Sequence, residues 1–262
     1  LIGMGRQGFT TGRESIITRA LDALADARLR SLSRRAMPDA VKDLLLCNMQ
    51  KTSTLLQTFQ PGSLNPSNDP VISSLFNLAD GTQSRAGSVC KMVLDGLAAT
   101  GTITLGGYDY HTGDRVVGDQ RDREAGQMIG RILSAAAQKN TPVVIYVFTD
   151  GGVSAGNTVD PTNGRLVWAG DSSQRSSSLM LAYNPAGRPA MRSTNRQVGR
   201  YKEGGSVENN ASPMSNSVVN LAKAVVLNYL ALHGLEGSLS EVVGDNPFNT
   251  SMNQHLLFGR IA

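Results

Sequence analysis

The chain has little of what would assign a protein at once. Among its 262 residues there are two cysteines, Cys47 and Cys90, each in a helix-like stretch with apolar neighbours. That is too few for a disulfide framework or a cysteine-built metal site, and leaves buried thiols or at most one bridge. No apolar run approaches the ~20 residues that a helical membrane span needs, so no such span is expected. An excess of one charge is also missing. Lys and Arg total 25 against 21 Asp and Glu, and the basic residues are scattered rather than gathered in a stripe, which argues against nucleic acid as a partner. There is no G-x-S-x-G nucleophile elbow, since "GGVSAG" at 151–156 lacks the pattern. A P-loop is absent too, and "GGSVENNASP" at 204–213 reads as a polar loop.

What is present is periodic. Ile16, Ile17, Leu21 and Leu24, then Val41, Leu44, Leu45 and Met49, recur at helical spacing, and "MPDAV" at 37–41 divides them into two helices. A polar connection follows at 60–70. Residues 84–99 predict a helix with Val89, Met92, Val93 and Leu97 on one face, leading through Gly101 into a short strand at 102–105. A second helix over about 121–138 carries Ala125, Met128, Ile129, Ile132, Leu133 and Ala136 on one stripe and precedes the strand "VVIYVF" at 143–148. Strand, helix and strand in that order make a βαβ unit and imply a parallel pair. Beyond it come a Gly- and Ser-rich stretch with a short strand at 166–168, a strand at 178–183, a polar loop to Ser217, and a helix closed by Gly234. The expected fold class is α/β, with one domain over 1–262. It comprises a helical part at 1–70, a core βαβ region at 84–189, and a polar loop with a C-terminal helix at 190–262.

Ligands of parallel α/β sheets bind at the carboxyl ends of strands. The first strand runs into "GGYDYH", with Asp109 and His111, and the second into "FTDGG", with Asp150. If the strands are neighbours these three converge, and one imidazole with two carboxylates suits Zn²⁺, Mg²⁺ or Mn²⁺. Each residue alone has an ordinary alternative. Asp109 and Asp150 lie beside glycines, where Asp serves as a turn or cap residue, and a lone histidine is more often structural. His233 stands where a histidine caps a helix C-terminus, and His255 lies in the tail. Arg188, Arg192, Arg196 and Arg200 belong either to a solvated loop or to an anion- or partner-binding one.

The succession "TITLGGYDYHTGD", amphipathic helix, "PVVIYVFTDGG", glycine-containing loop and "SSSLMLAYNPAGRP" resembles sulfatase-like bacterial proteins of the alkaline-phosphatase superfamily. The resemblance covers roughly 84–189 and, more loosely, the last helix. It implies a mostly parallel sheet flanked by helices, with "GYDYH" matching a Gly-Trp-Asp-Thr-His-like motif and "TDGG" the position of an acidic motif. A third motif falls at "AGDSSQRSS", supplying Asp171 but Ser172 where the family has histidine. The metal set implied is therefore Asp109, His111, Asp150 and Asp171. The family's N-terminal strand, with its metal-binding Asp and nucleophile, has no counterpart here. The chain starts without Met, so a preceding segment is expected; export is what the resemblance implies, with no signal visible in this sequence.

Two functions follow from that pattern. One is a non-catalytic or degenerate alkaline-phosphatase-like protein, exported to the periplasm or cell surface as a structural or assembly component with self-association or a protein partner. The other is a divalent-metal-dependent hydrolase of phosphate or sulfate esters. Two-metal hydrolysis needs ligands on both sides of the reacting group, and the residues named would hold at most one ion.

Overall fold

The computed structural model describes residues 64–108, 115–148, 152–164, 166–172, 178–192 and 212–261, with positions 19, 23, 27, 30, 62, 196–198, 208 and 210. Positions 19, 23, 27 and 30 are helical and exposed. Their spacing puts them on one face, the solvated side of the expected N-terminal helix. The chain divides into two compact units, Leu1–Gly101 and Thr102–Ala262.

In the first unit, helix α1 (Pro70–Leu75) starts where Asp69 Oδ1 accepts from the amides of Val71 and Ile72, with Pro70 at the first helical position. The sequence reading had this stretch end in a polar loop; the Asp-Pro pair builds a cap and a helix start instead. Helix α2 (Gly81–Leu94) is capped by Asp80, whose carboxylate accepts from the Gln83 amide, while the Gln83 side chain accepts from the Asn77 amide. It ends earlier than the predicted Ala99. Gly96 takes φ +71° and donates to Val93 O, and Leu97 donates to Met92 O, which closes the helix in a Schellman motif.

Ile72, Phe76, Ala86, Cys90 and Leu94 are buried between these elements. Gly87 lets the helices meet, since a Cβ there would stand 3.1 Å from Ile72 and 3.3 Å from Phe76. Lys91, itself buried, reaches Asp69 Oδ2 at 3.3 Å and Asp95 Oδ2 at 2.5 Å, so one ammonium ties the cap of α1 to the end of α2. Cys47 lies outside the described residues.

In the second unit, helix α3 (Arg115–Gln138) begins six residues before its predicted start. Met128 and Ala136 of the predicted stripe are buried, with Ala135 beside them, and Ala125, Ile129, Ile132 and Leu133 are half-buried. Strand β1 (Val143–Phe148) follows, then β2 (Gly152–Val159), β3 (Leu166–Ser172) and β4 (Ser178–Tyr183).

Three expectations need correction here. Residues 102–105 form no strand: Ile103 and Leu105 are half-buried and the threonines exposed, but no ladder is made. Alternation creates a strand only when a partner supplies the hydrogen bonds. The described partner of β1 is β4, antiparallel, with Val143 opposite Tyr183 and Phe148 opposite Ser178. The Gly-rich stretch after Phe148 is a hairpin, β2 against β3, antiparallel and with register shifts, and its turn is held by Asp160, which accepts from the Thr162 amide, and by Gly164 at φ +65°. Both sheets of the described residues are thus two-stranded and antiparallel.

The C-terminal core is helical. Helix α4 (Val218–Leu232) is capped by Ser217, whose hydroxyl accepts from the Asn220 amide. It ends as predicted at Gly234, φ +70°, with Leu235 donating to Leu230 O and Gly234 to Ala231 O. Ala224, Leu227, Leu230 and Ala231 pack against Leu239 of helix α5 (Leu239–Val243), Phe248, and Leu256 just after helix α6 (Met252–His255). Buried Asn228 staples the tail to α4. Its amide donates to Ala224 O and His255 O, each at 2.9 Å, and its carbonyl accepts from the Leu257 amide at 2.6 Å.

Candidate functional site

The segment that carries the predicted motif enters the site through Gly107 and Tyr108. Gly107 has φ +86°, and a Cβ there would stand 3.0–3.2 Å from the Arg121 guanidinium. The left-handed backbone favours glycine, and any Cβ here would require the guanidinium to give way by a few tenths of an ångström. The Tyr108 hydroxyl donates to the Arg121 carbonyl at 2.9 Å, and the Arg121 guanidinium pairs with Glu124 at 2.7 Å. The chain immediately before Asp109 is thereby pinned to the second turn of α3.

The Tyr108 phenol is pushed above its ordinary value, chiefly by burial, then by the Glu124 charge; Arg121 opposes the shift and Asp122 adds to it. The folded state holds this proton more tightly than the unfolded chain. Its contribution to stability is therefore present below about pH 10 and lost as pH rises through the raised value. The sequence reading missed this anchor. The signal for it was the glycine pair before Tyr108, which it took as the end of a strand.

Asp109, His111 and Asp150 lie outside the described residues. Asp171 lies on β3, next to Ser172, whose partner across the hairpin is Gly152. Two chain steps separate Asp150 from Gly152. The pairing thus brings the stretch that follows Asp150 alongside the third motif. Three carboxylates and an imidazole remain a donor set suited to a hard or borderline divalent ion. Among the described residues alone, no group of three or more His, Cys, Asp or Glu side chains gathers to hold one.

The other two histidines have structural places. His233 is the C-cap of α4, its amide bonded to Leu230 O at 2.9 Å and its ring edge-on to Tyr229, centroids 5.0 Å apart. His255 is buried, with Nδ1 2.8 Å from Ser251 O and its ring 4.8 Å from that of Phe248. Of the loop arginines, Arg192 pairs with Glu236 at 2.7 Å, and its amide bonds to Leu257 O. It ties the loop to the C-terminal core.

Among the described residues no helix is long and apolar enough to cross a membrane. No protein-family model matches the chain, and neither does any curated protein or solved structure.

Proposed function

We propose that the protein is a non-catalytic assembly component built on an alkaline-phosphatase-like scaffold, acting outside the cytoplasm and working through self-association or a protein partner. The observation that carries this reading is the β1–β4 sheet. "VVIYVF" and "SLMLAY" contain no charged residue, glycine or proline, and are apolar on both faces, yet none of their residues is buried. Phe148 is 61 % exposed and Leu179 51 %. Among the described residues the two strands stay half-buried apart from exposed Phe148 and Leu179, and a two-stranded sheet so thinly covered is at best marginally stable in water. A surface of this kind acquires its stability from what covers it. Sedimentation of the full chain across a concentration series, run beside assays with phosphate and sulfate esters, tests the reading. Concentration-dependent assembly without turnover supports it; a strictly monomeric chain with robust turnover overturns it.

A second reading, the divalent-metal-dependent ester hydrolase, is favoured by the anchoring of Gly107 and Tyr108 directly before Asp109 and His111. Such pinning suits residues that must hold a fixed position. In this reading Asp109, His111, Asp150 and Asp171 bind the ion, which would supply Lewis-acid stabilisation of the ester oxygens. It requires stoichiometric Zn, Mn or Mg in the purified chain, lost in Asp109→Ala and His111→Ala. Metal analysis giving none sinks it.

A further inference from the structure

The turn of the β2–β3 hairpin holds the one Asn-Gly pair in the sequence, Asn163 and Gly164. Pro161, Thr162, Asn163 and Gly164 are all exposed, and Gly164 has open space where a side chain would stand. In an Asn-Gly pair the backbone reacts most readily with the preceding side chain, because the glycine has no Cβ to shield its nitrogen or restrict its approach. The Gly164 nitrogen attacks Asn163 Cγ, the new C–N bond closes a cyclic imide, and the Cγ–Nδ2 bond breaks. Nδ2 leaves as ammonia, taking the proton that the Gly164 nitrogen gives up. Water then opens the imide at one carbonyl or the other, which leaves aspartate or isoaspartate.

Asp160 holds both reacting groups. Its carbonyl accepts from the Gly164 amide at 2.9 Å, which fixes the direction of the nucleophile. Its carboxylate accepts from Asn163 Nδ2 at 2.7 Å through Oδ2 and from the Thr162 amide at 2.8 Å through Oδ1, which fixes the direction of Asn163 Cγ. An intramolecular attack is fast only when the reacting atoms are free to align. Here one residue ties down the attacking nitrogen and the leaving nitrogen together, and the tie to Asn163 is charge-assisted, the stronger kind.

The product does not suit the place in which it forms. Conversion exchanges the Nδ2 donor for an acceptor oxygen and brings a negative charge to the Asp160 carboxylate, and like charges at that distance oppose each other. Isoaspartate also lengthens the backbone by a methylene in the turn that joins β2 to β3. The strand beyond the turn carries Asp171.

We infer that Asn163 is a self-modification site, which converts to aspartate and isoaspartate when the turn opens, and that Asp160 sets the rate. The inference goes beyond the assembly reading and is independent of it. The full chain is incubated in mildly alkaline buffer, folded and in urea, beside folded Asp160→Asn. Peptides spanning the turn are then followed by mass spectrometry, with aspartate and isoaspartate separated by chromatography. The asparagine introduced at 160 is silent in this assay, because Pro161 has no N–H with which to form the imide.

Asn163 should convert ahead of every other asparagine in urea and several-fold more slowly in the folded chain. Folded Asp160→Asn should convert about fivefold faster than folded wild type, as the loss of a charge-assisted hydrogen bond requires. Asn163→Asp, which installs the product directly, should speed amide hydrogen exchange in β2 and β3 and leave that of α4 unchanged. An Asn163 that stays intact in urea, or converts there no faster than in the folded chain, overturns the inference. Conversion of Asp160→Asn at the wild-type rate overturns the role of Asp160. Hairpin exchange indifferent to Asn163→Asp overturns the effect of the product on the turn.

Discussion

Helices α2 and α4 are nearly the same object by local rules and very different objects by surface. Each starts at a side-chain cap, Asp80 or Ser217, and each ends in a Schellman motif around a left-handed glycine, Gly96 or Gly234. Each buries one face. Their outer faces separate them: α2 shows Thr82 and Arg85 to solvent, whereas α4 shows Val218, Val219, Ala222 and Tyr229. Capping residues decide where a helix runs, because they satisfy its orphan amides and carbonyls. They have no influence on what the helix packs against. The difference is that α4 leaves apolar side chains in water where α2 leaves polar ones.

The largest effects should come from the faces the two helices have in common. Leu227→Ala in α4 and Ile72→Ala against α2 both remove fully buried side chains and should each cost about 3 kcal/mol, read from denaturant unfolding curves. A cost under about 1 kcal/mol at Leu227 would mean that the inner face of α4 is not its core face, and the comparison would collapse. Next come the lysines. Lys91→Met takes the ammonium away from the buried Asp69 carboxylate, which keeps its amide donors, and should cost about 2 kcal/mol in the same measurement. Lys223→Met, whose partner Asp245 is mostly exposed, should cost no more than about 0.5 kcal/mol. Equal costs would erase the distinction between a helix tied down by a buried ion pair and one that is not.

The C-terminal glycines sharpen the comparison further. Ala at Gly96 or Gly234 must adopt positive φ, costing about 1 kcal/mol. Gly234→Ala should cost more, since its Cβ would stand 3.1 Å from Arg260 Cδ while Gly96 faces open space. A thermal melt that ranks them the other way would show that the tail yields at Arg260. Smallest are the exposed positions. Arg85→Ala and Tyr229→Ser should each change monomer stability by less than about 0.5 kcal/mol.

Much of the helical architecture was legible before any coordinates. Met128 and Ala136 of α3 are buried as their spacing required, and α4 ends at the predicted Gly234. The strands at 143–148 and 178–183 stand where apolar runs bounded by polar stretches put them. The β2–β3 hairpin was not legible. "GVSAGNTV" carries no strong alternation, and its pairing depends on a partner strand beyond the turn. The α1 helix was hidden behind the composition of "NPSNDP", where Asn, Ser and Pro suggest a loop although Asp69 and Pro70 are a cap and a first helical residue. At the candidate site Asp109, His111 and Asp150 were read from the ends of predicted strands, and Asp171 only from the family resemblance. Gly107, Tyr108 and Arg121 became a unit only through contacts across 13 residues of chain.

Local sequence thus determined the helices, their caps, their closing glycines and the apolar runs that become strands, because each depends on hydrogen bonds and side-chain periodicity within a few residues. Tertiary structure alone decided which strand pairs with which. The register that sets β1 against β4, rather than against 102–105, is a choice among distant partners with similar local propensity. It also decided which apolar face is consumed. The two sides of α4 are alike in composition, and only the packing of Leu239, Phe248 and Leu256 against one of them leaves the other to water.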